Sequence, residues 1–296
     1  MRSLLWLSVL LFSTWAAGQE CTTFVVVAAL DHTTGEEIDV LQRQDFRVSI
    51  GSKPVEVISA TRPFSNRLLI LIEADGVLDN EKLSETVEMI TRFAREAPGG
   101  KPIAFGVYSD RAVFTKGFLK DPQERTAAIN SVVEEMSSLG KHVALLDSLH
   151  ESLSLFGRHQ AGDTVLLVAD PFDDKSKAST GGIEKEFISS GTRLSVMLRQ
   201  QMSRVARDFI WTSHEREKKF LENLSARTGG AYTSFGPHLF RFPWKGYMLG
   251  LKLPQDSNRL EKWSIELRKS LEFSRMHPRL YYPERLLPCG AEDSDR

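Results

Sequence analysis

Residues 68–72 read Leu-Leu-Ile-Leu-Ile and run directly into Glu73, Ala74, Asp75, Gly76 and Val77. An unbroken aliphatic run of this length, bounded by acids and a glycine, predicts a strand covered on both faces, as in the middle of a parallel sheet. Open α/β sheets bind ligands at the carboxyl ends of such strands, so residues 73–77 form the first candidate loop of a site.

The alternation continues downstream. Leu83, Val87, Ile90 and Ala94 share one helical face, with Asp79 or Asn80 as the cap. Residues 101–108 and 112–118 predict a strand pair around Ser109, Asp110 and Arg111. Asp121-Pro122-Gln123-Glu124 carries a helix start, with a capping acid, a proline at the first helical position and a glutamate three residues after the cap. That helix is expected to end near Gly140, and a second one places Leu145, Leu149, Leu153 and Phe156 on one side. Residues 164–169 and 193–198 predict further buried strands, 183–189 and 215–227 helices, and 231–235 a last strand. Strands alternating with helices imply a mostly parallel sheet with right-handed crossovers. Residues 199–214 fit no clean period.

The two ends of the chain read differently. Residues 22–30, 45–50 and 55–59 have strand patterns, as do 246–252, 263–268 and 271–281. A few strands cannot form a core alone, so the two sets are expected to pack together as one small discontinuous β domain. The resulting division is residues 1–18 as an export signal, 19–62 as the first part of the β domain, and 63–238 as the α/β domain. Residues 239–290 are its second β part and 291–296 a disordered tail. The export signal rests on Arg2, the apolar run 4–12 and the small residues Ala16, Ala17 and Gly18. A secreted or periplasmic location follows as an expectation, with no membrane span in the mature chain. The two cysteines, Cys21 and Cys289, stand at opposite ends of the mature chain, and in an oxidising compartment a bridge between them is expected.

A formal net charge of −1 with 26% charged residues lacks the basic excess of a nucleic-acid footprint. No catalytic set stands out. Asp147, Ser148 and His150 are sequence neighbours on a predicted helix and do not face one another, and His214-Glu215 lacks the second histidine of a zinc protease. Phe240, Phe242 and Trp244 are expected to pack between the two domains.

The stretches LLILIEADGV, FTKGFLKDP, VALLDSL, TVLLVADPFDDKS and ARTGGAY, in that order, resemble the von Willebrand factor A-type domain. DFRVSIGSKPVEVIS before them and KGYMLGLKLP after them resemble the flanks of bacterial proteins related to that family. The resemblance implies a Rossmann-like α/β fold and a metal-ion-dependent adhesion site at the carboxyl edge of the sheet, holding Mg²⁺ through Asp-x-Ser-x-Ser, a threonine and a later aspartate. In this chain those positions are Glu73, Asp75, Val77, Val143 and Asp170, of which only Asp170 keeps the family's residue. Val77 and Val143 offer no oxygen, and Glu73 reaches one methylene too far for a tight octahedral site.

No cofactor is therefore expected. The function implied is an exported, non-enzymatic protein-binding module with a degenerate adhesion site, whose ligand-binding edge comprises Glu73, Asp75, Val77, Val143, Asp170 and Asp173. Acidic charge at this edge favours a basic or amide-rich protein or peptide partner. A competing reading keeps Glu73, Asp75 and Asp170, helped by Asp173, as a metal site of altered geometry for Ca²⁺, Mn²⁺ or Mg²⁺. A third is a hydrolase built on the same acids.

Overall fold

The computed structural model describes residues 20–31, 34, 36–62, 67–74, 80–96, 100–198, 215–234, 246–254, 261–268 and 278–287. Its centre is the predicted aliphatic strand β4 (Leu68–Glu73), in which every residue is buried. On one side lie β5 (Ile103–Tyr108) and β6 (Ala112–Phe114), and on the other β7 (Thr164–Ala169), β8 (Arg193–Leu198) and β9 (Tyr232–Ser234). The order across the sheet is β6-β5-β4-β7-β8-β9. All neighbours are parallel except β5 and β6, which pair antiparallel around the predicted turn. Counted from β4 in chain order, this is the 3-2-1-4-5-6 arrangement of doubly wound sheets, with the reversal of strand order between β4 and β7.

Helices cover both faces. Leu68, Ile70 and Ile72 pack with Ile90 and Phe93 of α1 (Asn80–Glu96) and with Ile129, Val132 and Met136 of α2 (Pro122–Met136). Leu69 and Leu71 point to the opposite face. There they meet Leu145, Leu149, Leu153 and Phe156 of α3 (Leu145–Phe156), Phe187 of α4 (Thr180–Ser190) and Leu221 and Leu224 of α5 (Glu215–Arg227). Each such side chain, fully buried, contributes about 1.5–3 kcal/mol, which is why one short run of aliphatics organises both layers. The Asp121 carboxylate caps α2 as expected, accepting the Gln123 and Glu124 N–H groups at 2.8 and 3.0 Å. That helix stops at Met136, short of the expected Gly140, and β6 stops at Phe114.

Arginines close the helices at the amino edge of this sheet, where helix C-termini leave carbonyls without partners. Arg67 donates to Phe156 O and Arg158 O, both at 2.6 Å, and forks onto the fully buried Asp163 at 3.0 and 2.5 Å. Arg193 donates twice to Gly229 O, beyond the end of α5. Gly229 itself sits at φ +76°, and a Cβ on Gly230 would lie 1.8 Å from Leu194 O, so Thr228-Gly229-Gly230 is a turn packed against a strand.

The second sheet is antiparallel and draws on both ends of the chain, in the order β12-β1-β10-β3-β2-β11-β13. Its strands are β1 (Glu20–Asp31), β2 (Phe46–Ile50), β3 (Lys53–Thr61), β10 (Tyr247–Pro254), β11 (Glu261–Leu267), β12 (Pro278–Tyr281) and β13 (Arg285–Leu286). The first half of β1 pairs with β10, with Cys21 opposite Leu253, and its second half pairs with β12. Val25, Val27 and Ala29 share their core with Phe46, Val48, Leu249, Leu251, Trp263 and Ile265, and Val26 and Ala28 between them are buried as well. Of the last expected strand, 271–281, residues 278–281 form β12, and 271–277 lie outside the described residues. Residues 1–19, 199–214, 235–245 and Cys289 lie outside the described residues, and with them the export signal, the aromatics Phe240, Phe242 and Trp244, and one half of the expected bridge.

Candidate functional site

The carboxyl ends of β4 and β7 adjoin at the reversal of strand order, where a doubly wound sheet opens a crevice. Glu73, the last residue of β4, is buried, and its Oε2 accepts the Asp170 N–H at 2.8 Å. The two acids expected in one site are thus neighbours, but one of them serves as a backbone clasp across the crevice. Ala74 continues the edge by donating its N–H to Tyr108 O at 2.7 Å. Asp75 and Val77 lie outside the described residues.

Val143 occupies the threonine position as a buried residue of the loop before α3. Its backbone is fully engaged: the N–H donates to Asp174 Oδ1 at 2.7 Å, and the carbonyl accepts from the Asp174 and Lys175 N–H groups. Asp173, expected in one reading to help a metal site, is bonded to backbone amides. Its carboxylate accepts from Leu146 N at 3.1 Å, at the first turn of α3, and from the Lys175 and Ser176 N–H groups. An acid two residues before a lysine and three before a serine closes an Asx turn on its own loop instead.

Three further acids, unremarked in the sequence as site residues, complete the edge. Asp147 accepts from the Lys177 N–H at 3.0 and 3.1 Å and from the Ala178 N–H at 2.8 Å. Asp174 Oδ2 meets His142 Nδ1 at 2.9 Å. Asp110 accepts the Gly140 N–H at 2.7 Å and the Lys175 ammonium at 3.2 Å, and the Gly140 bond, followed by Lys175, holds its carboxyl below the usual aspartate range. Ser109, fully buried at the end of β5, donates to the carbonyls of Gly140 and His142. The signals for these roles were local: Asp147 lies in the first turn of a helix, and Asp173-Asp174 precedes a polar loop.

The loops 109–111, 140–147 and 170–178 are therefore one laced assembly, with carboxylates turned onto backbone N–H groups. Lys141, His142, Lys175 and Lys177 project to solvent from it. Among the described residues, no group of three or more His, Cys, Asp or Glu is placed to hold a metal ion. Of the donor positions that the family's site implies, Val143 has no side-chain oxygen, Glu73 bonds the Asp170 N–H, and Asp75 and Val77 lie outside the described residues. Ser148 is buried and bonded to Ala144 O, while His150 is exposed and bonded to Glu186, so Asp147, Ser148 and His150 form no catalytic array.

No family model matches the sequence, and no curated protein matches it. Among solved structures it is similar to a von Willebrand factor type A protein from Catenulispora acidiphila, at 13% identity and a TM-score of 0.46, over 75% of this chain and 48% of that one. It is also similar to the protein BatB from Bacteroides thetaiotaomicron, at 12% identity and a TM-score of 0.42, over 57% of this chain and 90% of that one. A third likeness is proximal thread matrix protein 1 from the mussel byssus, solved with zinc in its adhesion motif, at 15% identity and a TM-score of 0.43, over 57% and 41% of the two chains. The chain spans about half the length of the first of these. By its strand order and the helices on both faces, the chain has a fold related to the von Willebrand factor A type.

Proposed function

We propose that the protein is an exported, non-enzymatic interaction module that docks a protein or peptide on the carboxyl edge of its parallel sheet, without a metal ion at the contact. The observation that carries this reading is the Glu73 carboxylate bonded to the Asp170 N–H, together with the buried Val143 at a position where the resemblance implies an oxygen ligand. A clasp of this kind rigidifies the edge through protein groups alone. The surrounding aspartates are used in the same way, so the edge offers a preformed surface that does not depend on an ion to order it.

The partner's chemistry also changes with this geometry. The carboxylates of Asp147 and Asp174 are held by backbone N–H donors and Lys175 pairs with Asp110, while Lys141 and Lys177 face outward. A partner with mixed charge suits such a surface better than the purely basic one suggested by the acid-rich sequence. The bridge between Cys21 and Cys289 belongs to the same proposal, joining the β strands of the two chain ends in an oxidising compartment.

Photo-crosslinkers installed at Lys141 and Lys177, with Arg158 on the opposite edge as control, test the reading in the native compartment. Capture of one common partner from both rim positions, unchanged by chelator and absent from Arg158, is the expected result. Capture abolished by chelator favours the metal-dependent alternative, and turnover of a hydrolysable substrate lost in Glu73→Gln favours the hydrolase.

A further inference from the structure

β2 and β3 pair only beside their turn, from Ile50 opposite Lys53 to Val48 opposite Val55. Beyond that rung both strands continue, β2 bonded to β11 as far as Phe46 and β3 bonded to β10 from Glu56 onward, with no ladder between them. A groove of about 620 Å³ opens there, lined by residues 46–49 on one side and 54–57 on the other. Its apolar lining includes the half-buried Val55 and Val57, which pack against the core of the antiparallel sheet. A single helical turn, Arg43–Asp45, stands at one end, where Arg43 Nη1 donates to Ile58 O at 3.3 Å and Asp45 O accepts the Arg268 N–H at 2.7 Å.

Charge is distributed unevenly around this groove. Arg43, Arg47 and Arg268, all exposed, line it together with the carboxylates of Glu56 and Glu266. Glu56 lies 3.8 Å from the Lys252 ammonium of β10, and Asp45 beside the groove is bonded to the Gln42 N–H at 2.7 Å. Glu266 stands opposite Arg47 in the ladder, yet Arg47, Arg268 and Glu266 form no ion pair among the described residues. Three guanidiniums are thus set against one uncommitted carboxylate. Guanidinium forks bind carboxylates through two parallel bonds, so a positive rim beside an apolar recess selects a ligand that carries carboxylates on either side of an apolar side chain. The groove follows four residues of each strand, roughly 10 Å at about 3.3 Å per residue, which matches three to four residues of an extended chain.

We propose that the opening between β2 and β3 is a docking site for an extended acidic segment of a partner protein, which sets an apolar side chain against Val55 and Val57 and flanking carboxylates on Arg47 and Arg268. The volume lies within the range of about 300–1,000 Å³ in which proteins seat a small ligand or an anchoring group. The groove shares no residue with the carboxyl edge of the parallel sheet, so it is a second contact surface and stands independently of the docking proposed there.

The full mature protein is titrated into a fluorescein-labelled Glu-Asp-Phe-Asp-Glu peptide and followed by anisotropy. The peptides Gln-Asn-Phe-Asn-Gln and Glu-Asp-Gly-Asp-Glu remove the charge and the apolar anchor in turn. Saturable binding with a Kd below about 1 mM is expected for the first peptide, weakened by added salt and weaker for each of the other two. Arg47→Glu and Arg268→Glu should each weaken it by about tenfold or more. Both side chains are exposed, so these variants should keep the parent's Tm. Lys116→Glu, the same charge change at an exposed position of the other domain, should bind as the parent does. Absence of saturable binding overturns the proposal, as does equal binding of the three peptides or an equal loss in Lys116→Glu and Arg47→Glu. Binding lost in Lys141→Glu and kept in Arg47→Glu places the peptide on the carboxyl edge, which overturns the second surface and leaves the first standing.

Discussion

The Glu73 carboxylate accepts the Asp170 N–H at 2.8 Å, joining the ends of two adjacent parallel strands at the point where strand order reverses. Removing the acceptor leaves a partly buried N–H in need of a partner. Glu73→Ala is expected to cost about 1–3 kcal/mol of unfolding free energy, measured by urea denaturation, and Glu73→Gln, which keeps an acceptor oxygen, clearly less. Equal stability of Glu73→Ala and the parent protein would show that the clasp does not hold the edge.

Loop lacing by aspartates makes a more local prediction. In Asp147→Ala the Lys177 and Ala178 amides lose their acceptor, and in Asp173→Ala the Leu146 and Ser176 amides lose theirs. Hydrogen exchange at those amides should accelerate at least several-fold, while the β4 and β7 amides keep their protection. Uniform acceleration across both sheets would instead indicate global destabilisation.

Acid sensitivity should follow two carboxyls whose protons are held more weakly in the folded chain. Asp110 is lowered from 3.8 by the Gly140 N–H and Lys175, and Glu284 from 4.5 by its bond to Arg227. Each contributes stability in full above its unfolded value, and that contribution is lost as pH falls through the lower folded value. His150 has the opposite sign. Its bond to Glu186 raises it above 6.5, so its contribution is present below that value and lost as pH rises through the folded one. Urea midpoints against pH should therefore fall more gently on the acid side in Asp110→Asn, and lose their small decline above neutrality in Glu186→Gln. Superimposable profiles for all three proteins would contradict these assignments.

At the amino edge, Arg67 and Asp163 form a two-pronged pair with the carboxylate wholly buried. Asp163→Ala strands the guanidinium and should destabilise by about 3–5 kcal/mol, while Asp163→Asn, which keeps one acceptor, should lose less. Calorimetric unfolding decides it, and a loss under 1 kcal/mol in Asp163→Ala would mean that the Phe156 and Arg158 carbonyls suffice for Arg67.

The expected bridge is checked by mass. Protein exported to an oxidising compartment and unfolded without reductant should resist alkylation at Cys21 and Cys289 and take two adducts after reduction. Alkylation of both before reduction would exclude the bridge.

Much of this architecture was legible in the chain. Residues 68–72 and 164–169 announce doubly covered strands because burial on two faces leaves no room for alternation, and Asp121-Pro122 announces a helix start because its bonds close within three residues. The aliphatic periods also assigned Leu149, Leu153 and Phe156 to one buried face. What sequence order could not fix was the direction of each carboxylate. In the sequence Asp173 is a helper in the competing metal reading, and nothing along the chain announces the bond its carboxylate accepts from Leu146 N, 27 residues away. Arg193 is likewise an ordinary strand residue in the sequence, and only the packing of β1 and Pro283 over the end of β8 makes it a buried charge at a cavity. Local periodicity determined the strands and helices, since it depends on neighbours along the chain. Which polar group meets which was decided by loops from distant segments that the fold brings together.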